Sequence, residues 1–126
     1  MESFVYKGTK DVYYKPDISL DAETGRCLLS GDSYLEDPAQ FYEPVLNWMK
    51  QYMKEVRGPI VFDFKLTYFN TSSSRSIIEI LWLLKEYKDH GGEANVNWYL
   101  EEDDDLDEEI DDFVLRTEIE INKIYC

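Results

Sequence analysis

Apolar and polar positions alternate from Val12 to Leu20 (Val12, Tyr14, Ile18, Leu20), and a short apolar run over Arg26 to Ser30 follows the turn-forming stretch Asp21-Ala22-Glu23-Thr24-Gly25. This pattern predicts a strand pair. Asp37-Pro38 then joins a capping residue to a proline, and Phe41, Val45, Trp48, Met49, Tyr52, Met53 and Val56 recur at helical spacing until Arg57-Gly58-Pro59. Pro44 blurs where that helix begins, but a helix follows it. Ile60, Phe62, Phe64 and Leu66 alternate with Val61, Asp63, Lys65 and Thr67, the period of a strand with one buried and one largely polar face, ending at Tyr68-Phe69-Asn70. From Ser73, the positions Ile77, Ile78, Ile80, Leu81, Leu84 and Tyr87 predict a second helix, closed at His90-Gly91-Gly92 where glycine can turn left-handed. Val96, Trp98 and Leu100 mark another strand. Leu106, Ile110, Phe113 and Val114 put an apolar stripe on an acidic third helix, and Ile119 with Ile121 suggests a last strand.

The predicted order is β-β-α-β-α-β-α-β. It argues for an α/β fold: one small domain over residues 1–126, with a central mixed β-sheet, right-handed crossovers and helices packed on the sheet. The polar alternate positions suggest that one sheet face is only partly covered. No internal repeat, linker or domain boundary interrupts the chain, whose 126 residues suit one core.

Charge narrows the function. The formal net charge is −14, from 27 acidic against 13 basic residues, so the surrounding field repels phosphate backbones and anionic lipid surfaces. Nucleic-acid partners and membrane insertion are therefore not expected. Ten of the carboxylates lie between Glu101 and Asp112. Cys27, inside an apolar run, and Cys126, at the end of the sequence, make a poor disulfide framework and fit a reducing compartment. With no charged-then-apolar leader and no stretch near the roughly 18 apolar residues a membrane helix needs, the expected location is the cytoplasm.

Candidate chemistry is sparse. Nucleophilic catalysis needs a base within hydrogen-bond reach, usually histidine, and the one histidine, His90, sits at a helix end where the dipole gives it a structural role. An EF-hand loop laid on Asp103, Asp105 and Asp107 fails, because Glu108 falls where glycine is required and Val114 where the bidentate glutamate belongs. The acidic run reads as a solvated helix face or as an electrostatic docking surface for a basic partner. CxxC, HExxH, GxGxxG and P-loop patterns are missing, so neither a metal nor a cofactor is expected. Asn70-Thr71-Ser72 matches a glycosylation sequon, a chance match in a chain without a leader. The remaining feature is the hydroxyl-rich turn Phe69-Asn70-Thr71-Ser72-Ser73-Ser74 between strand and helix. Asn, Thr or Ser there can cap the helix, and the same free N–H groups make a seat for a bound or covalently attached phosphate.

Several long strings make that turn familiar: Leu29-Ser30-Gly31-Asp32-Ser33-Tyr34, Phe41-Tyr42-Glu43-Pro44-Val45-Leu46-Asn47-Trp48, Phe62-Asp63-Phe64-Lys65-Leu66 with Tyr68-Phe69-Asn70-Thr71-Ser72-Ser73-Ser74, and Val96-Asn97-Trp98-Tyr99 followed by Glu101-Glu102-Asp103-Asp104. In this order they resemble the SiaC family of regulatory phosphoproteins. The resemblance implies a bacterial partner-switching pathway in which a protein kinase phosphorylates the threonine of the Asn-Thr-Ser-Ser turn, here Thr71, and a PP2C-type phosphatase reverses it. It also implies that the unphosphorylated form binds and activates a diguanylate cyclase, raising cyclic di-GMP and favouring biofilm formation. The logic is similar to that of STAS-type anti-sigma-factor antagonists, and a STAS-like fold is the corresponding expectation. The first 25 residues and the stretch after Asp112 carry little of the resemblance.

The expectation is therefore a non-enzymatic switch in which Thr71 accepts phosphate, Asn70, Ser72, Ser73 and Ser74 shape the turn, and Tyr68 and Phe69 contact partners. Its rivals are an anion-binding or interaction module that is never phosphorylated, and a minor enzyme using carboxylates such as Asp63 near the turn.

Overall fold

The computed structural model describes residues 1–10, 13–101 and 105–125. The expected strand start at Val12, the acidic residues Glu102, Asp103 and Asp104, and Cys126 lie outside the described residues. In chain order the elements are β1 (Phe4–Tyr6), β2 (Thr9–Lys10), β3 (Tyr14–Lys15), β4 (Asp17–Leu20), β5 (Arg26–Ser33), α1 (Pro38–Glu55), β6 (Ile60–Phe69), α2 (Thr71–Asp89), β7 (Ala94–Leu100), α3 (Asp107–Thr117) and β8 (Asn122–Tyr125).

The main sheet is mixed, with strand order β1-β4-β5-β6-β7-β8; β1 and β4 form an antiparallel flank, while β5 to β8 run parallel. Each parallel strand lies beside its predecessor, so the crossovers step one way across the sheet and like-handed connections place their helices on one face. α1 packs on α2 and α2 on α3 accordingly. The register aligns Leu29 with Phe64 and Phe64 with Trp98, and Cys27 with Phe62 and Phe62 with Val96, so the helix-facing side chains form continuous apolar rows. These residues, with Tyr42, Met49, Ile77, Ile80, Leu81 and Leu84 from the helices, are buried in one core.

The opposite face is more polar. Arg26 Nη2 lies 3.2 Å from Asp63 Oδ2, Asn97 Nδ2 donates to Asp63 Oδ1 at 3.0 Å, and Asn122 Nδ2 donates to Asn97 Oδ1 at 3.1 Å, a polar ladder across four strands. Partial cover of this face, expected from the alternation, is what the structure has.

Three expectations need correction. The amino-terminal segment carries β1 and β2, which sequence reading did not anticipate; β1 is held by Trp48 Nε1 donating to Glu2 O at 2.9 Å and by an edge-on contact of Tyr6 with Phe41. The strand expected to run to Leu20 is divided at Pro16, whose ring nitrogen cannot donate to a ladder. Ile119 and Ile121 are not in a strand: both are buried in the connection after α3, where Glu118 turns left-handed at φ 61°, and β8 begins only at Asn122. Their alternation records burial, which a connection packed beneath a helix can produce without a ladder.

Among the described residues no helix is long and apolar enough to cross a membrane.

Candidate functional site

The carboxyl end of β6 is bent before it reaches α2. Gly31 pairs with Leu66 but Asp32 pairs with Tyr68, so Thr67 is an extra residue, and its hydroxyl donates to Asp32 Oδ1 at 2.6 Å. Simple alternation would carry Tyr68 inward after Leu66. The bulge reverses the phase, as one added residue must: Tyr68 is exposed, while Phe69 packs against Trp98 and Phe113 at centroid distances of 5.9 and 5.7 Å.

α2 begins at Thr71, two residues earlier than the spacing from Ser73 suggested, because Asn70 is the cap: its Oδ1 accepts from Ser73 N at 3.0 Å. Asn70 also donates through Nδ2 to Leu35 O at 3.0 Å and through its backbone N–H to Ser33 O at 3.0 Å. Below it Ser33 Oγ, Ser73 Oγ and Tyr42 OH form a buried hydroxyl chain, with Ser33 to Ser73 at 2.9 Å and Ser33 to Tyr42 at 2.7 Å. Burial pushes the Tyr42 phenol far above its ordinary value, against the opposing pull of the Ser33 hydrogen bond, so it stays a neutral partner. The turn is thus fastened to β5 and α1 from beneath.

Above this foundation, Thr71 occupies the first helical position and is exposed, and its hydroxyl makes no hydrogen bond among the described residues. Ser72 is likewise exposed. Ser74 is half-buried and its hydroxyl donates to Thr71 O at 2.6 Å. Asn70, Ser73 and Ser74 therefore shape the turn by direct bonds, and Ser72 contributes none among the described residues. Ser73, fully buried, is unavailable to any modifying enzyme, so of this hydroxyl set Thr71 and Ser72 are the most accessible.

Thr71 stands at the lip of a cleft of about 430 Å³ between the first turn of α2 and the start of α3. Phe69, Leu106 and Phe113 supply apolar walls, and Asp105, Glu109 and Asp112 supply carboxylates. The acidic run and the hydroxyl turn are separate features along the sequence; the fold brings them together because β6 and β7 are neighbours and α3 packs beside α2. The available signal was the shared phase of Leu106, Ile110 and Phe113, which turns Glu109 and Asp112 to one flank of the helix.

The other candidate groups lie elsewhere. Asp63 is on the polar sheet face, engaged by Arg26 and Asn97, and roughly 20 Å along the strand from Asn70 at the rise of an extended chain, so it is not near the turn. His90 closes α2, its Nδ1 2.8 Å from Glu86 O. Cys27 is buried, and its thiol is pushed up to about 12 by burial and then by the Asp63 and Asp21 carboxylates, which makes it unreactive near neutral pH. Among the described residues no group of three or more His, Cys, Asp or Glu side chains could hold a metal ion.

Residues 7–125 match the family model described as SiaC family regulatory phosphoprotein. An uncharacterized protein of Pseudomonas aeruginosa strain UCBPP-PA14 is 32% identical over 84 residues, covering 67% of each chain. The crystal structure of apo-SiaC from Pseudomonas aeruginosa is similar at a TM-score of 0.88 with 26% identity, covering 98% of this chain and 99% of that one. The SiaC chain crystallised in complex with the diguanylate cyclase SiaD, which that SiaC activates, superposes at 0.83 with 24% identity over 96% of this chain and 100% of that one, a likeness of fold.

Proposed function

The chain belongs to the SiaC family of regulatory phosphoproteins, and we propose that it is a non-enzymatic cytoplasmic switch in which reversible phosphorylation of Thr71 controls binding to, and activation of, a diguanylate cyclase. A protein kinase adds the phosphate and a PP2C-type phosphatase removes it. The observation that carries this reading is the contrast within the turn: Thr71 presents an exposed hydroxyl with no hydrogen bond among the described residues, while Asn70 and Ser73 beneath it are bound to β5 and to the loop at Leu35.

A phosphate on Thr71 adds roughly −1.5 to −2 charge at neutral pH. The α2 N-terminus favours that charge by about 0.3 to 1 kcal/mol, while the carboxylates across the cleft oppose it, so folding is little affected. A partner pressed on the same surface must strip water from the dianion, at a cost of several kcal/mol when the charge is left unpaired. Binding therefore suffers more than folding. The activation of a cyclase by SiaC in Pseudomonas aeruginosa supports the choice of partner. Capture of a free anion is the weaker reading, since Asp105, Glu109 and Asp112 line the cleft beside Thr71.

The test is to map phosphate on the chain isolated from its own cells, then to measure cyclic di-GMP synthesis by that organism's cyclases with unmodified, phosphorylated and Thr71→Ala protein. Phosphate on Thr71, with activation by the unmodified and Thr71→Ala forms alone, is expected. Phosphate confined to another residue, or equal activation by all three forms, would overturn the assignment.

A further inference from the structure

The cleft at Thr71 has an apolar floor and an acidic rim. Phe69 and Phe113 meet over Trp98, with Leu106 beside them. On the rim, Asp112 is engaged by Arg116 at 2.7 Å, whereas Asp105 and Glu109 form no ion pair among the described residues. Outward from Tyr68 runs a file of exposed phenol rings: Tyr68 lies 6.1 Å from Tyr34, and Tyr34 lies 6.4 Å from Tyr13.

We propose that this surface docks a partner segment presenting an arginine next to an apolar side chain. The apolar group fills the Phe69 and Phe113 floor, and the guanidinium reaches Asp105 and Glu109 with a tyrosine ring of the file available to stack on. The proposal deepens the reading of the Thr71 end as the partner-binding end and rests on it.

Three observations converge on this chemistry. Carboxylates with no ion pair among the described residues, beside an apolar floor, select a cation, because a wholly apolar occupant would desolvate them without compensation. Exposed tyrosine faces select a flat, weakly hydrated cation, and guanidinium both stacks on rings and forks onto carboxylates where ammonium does neither as well. The net charge of −14 draws such a segment in from a distance and repels acidic competitors. A phosphate on Thr71 stands at the mouth of the same cleft with its own hydration shell, which an entering apolar side chain must displace, so the proposal and the switch act on one surface.

The experiment titrates the isotope-labelled, unphosphorylated full chain with a synthetic amphipathic peptide bearing arginine beside leucine and phenylalanine. A second titration replaces each arginine by citrulline, which keeps the shape and removes the charge. Amide shifts confined to Tyr68 through Ser74 and Leu106 through Phe113, with affinity at least about tenfold weaker for the citrulline peptide, are expected. The double variant Asp105→Asn with Glu109→Gln, checked for an unchanged thermal midpoint, should lose a similar factor for the arginine peptide only. Equal affinity for the two peptides, shifts on another face, or no saturable binding of either would overturn the proposal. No step uses phosphorylated protein, so its failure leaves the Thr71 switch standing, and a chain never phosphorylated in cells leaves the peptide result intact.

Discussion

The two ends of the parallel strands differ in how they use tyrosine: apart from Tyr42, buried against Ser33 beneath the Asn70 turn, the packed rings lie at one end and the exposed rings at the other. At the amino ends tyrosines are struts: Tyr52 OH donates to Pro59 O at 2.9 Å and Tyr87 OH to Gly58 O at 2.6 Å. The chain closes so tightly there that a Cβ on Gly25, at φ 76°, would fall 1.9 Å from Pro59 O, and one on Gly92 would fall 2.6 Å from the Tyr87 ring. At the carboxyl ends Tyr13, Tyr34 and Tyr68 turn their rings to solvent beside an open cleft. In open α/β sheets ligands meet the carboxyl ends of strands, and here the amino ends carry the packing that lets the other end stay open. The division is sharp enough to be tested by disturbing each end separately.

The largest effect should come from alkali. Burial pushes the Cys27 thiol from 9.0 up to about 12, and burial is also the main cause raising the Tyr52 and Tyr87 phenols at the closed end. A group whose folded value is raised contributes stability that is complete below its unfolded value and is lost as pH climbs toward the folded one. Circular dichroism should therefore stay constant from neutrality to about pH 9 and then show cooperative loss of structure toward pH 12. A flat signal across that window would mean the closed end is not sealed against water.

Gly25→Ala comes next. The left-handed backbone and the collision with Pro59 O together should cost about 3 kcal/mol, roughly 10 to 20 °C in thermal midpoint for a domain of this size. An unchanged midpoint would show that the closed end yields easily. Ser73→Ala should cost about 1 to 2 kcal/mol by leaving the buried Ser33 hydroxyl without the Ser73 oxygen it donates to, readable as a shifted denaturant midpoint with the slope unchanged. Smallest is Thr71→Ala: the cap is Asn70, so equilibrium unfolding should move by under about 0.5 kcal/mol while control of the partner is lost. A destabilisation matching that of Ser73→Ala would place Thr71 in the foundation instead of on the open surface.

How much of this was legible in the sequence follows from the range of each signal. The alternation of Ile60, Phe62, Phe64 and Leu66, and the helical spacing from Ile77 to Leu84, are local and describe the structure well. The turn at Asn70 was legible as a cap, and the strings around it as a family. The phase reversal at Thr67 was not, because the bulge is defined only by the pairing of Gly31 with Leu66 and Asp32 with Tyr68 on a neighbouring strand. The meeting of Thr71 with Glu109 and Asp112 was hidden for the same reason: they lie far apart along the chain, and sheet order alone closes the gap. Ile119 and Ile121 misled because burial in a connection and burial in a strand leave the same alternation.

The indole of Trp98 lies fully buried, stacked 4.8 Å from Phe64 at 9°, directly under Phe69 and Phe113, and its Nε1 has no hydrogen-bond partner among the described residues. An indole so shielded emits toward the blue, whereas Trp82, 53% exposed on α2, emits toward the red. The two colours separate the inside of the molecule from its outside in a single spectrum. Whatever enters the cleft presses on Phe69 and Phe113 and through them on Trp98, so in a Trp48→Phe chain, where the second buried indole is gone, the blue edge of the emission is an intrinsic optical gauge of cleft occupancy, with no label attached.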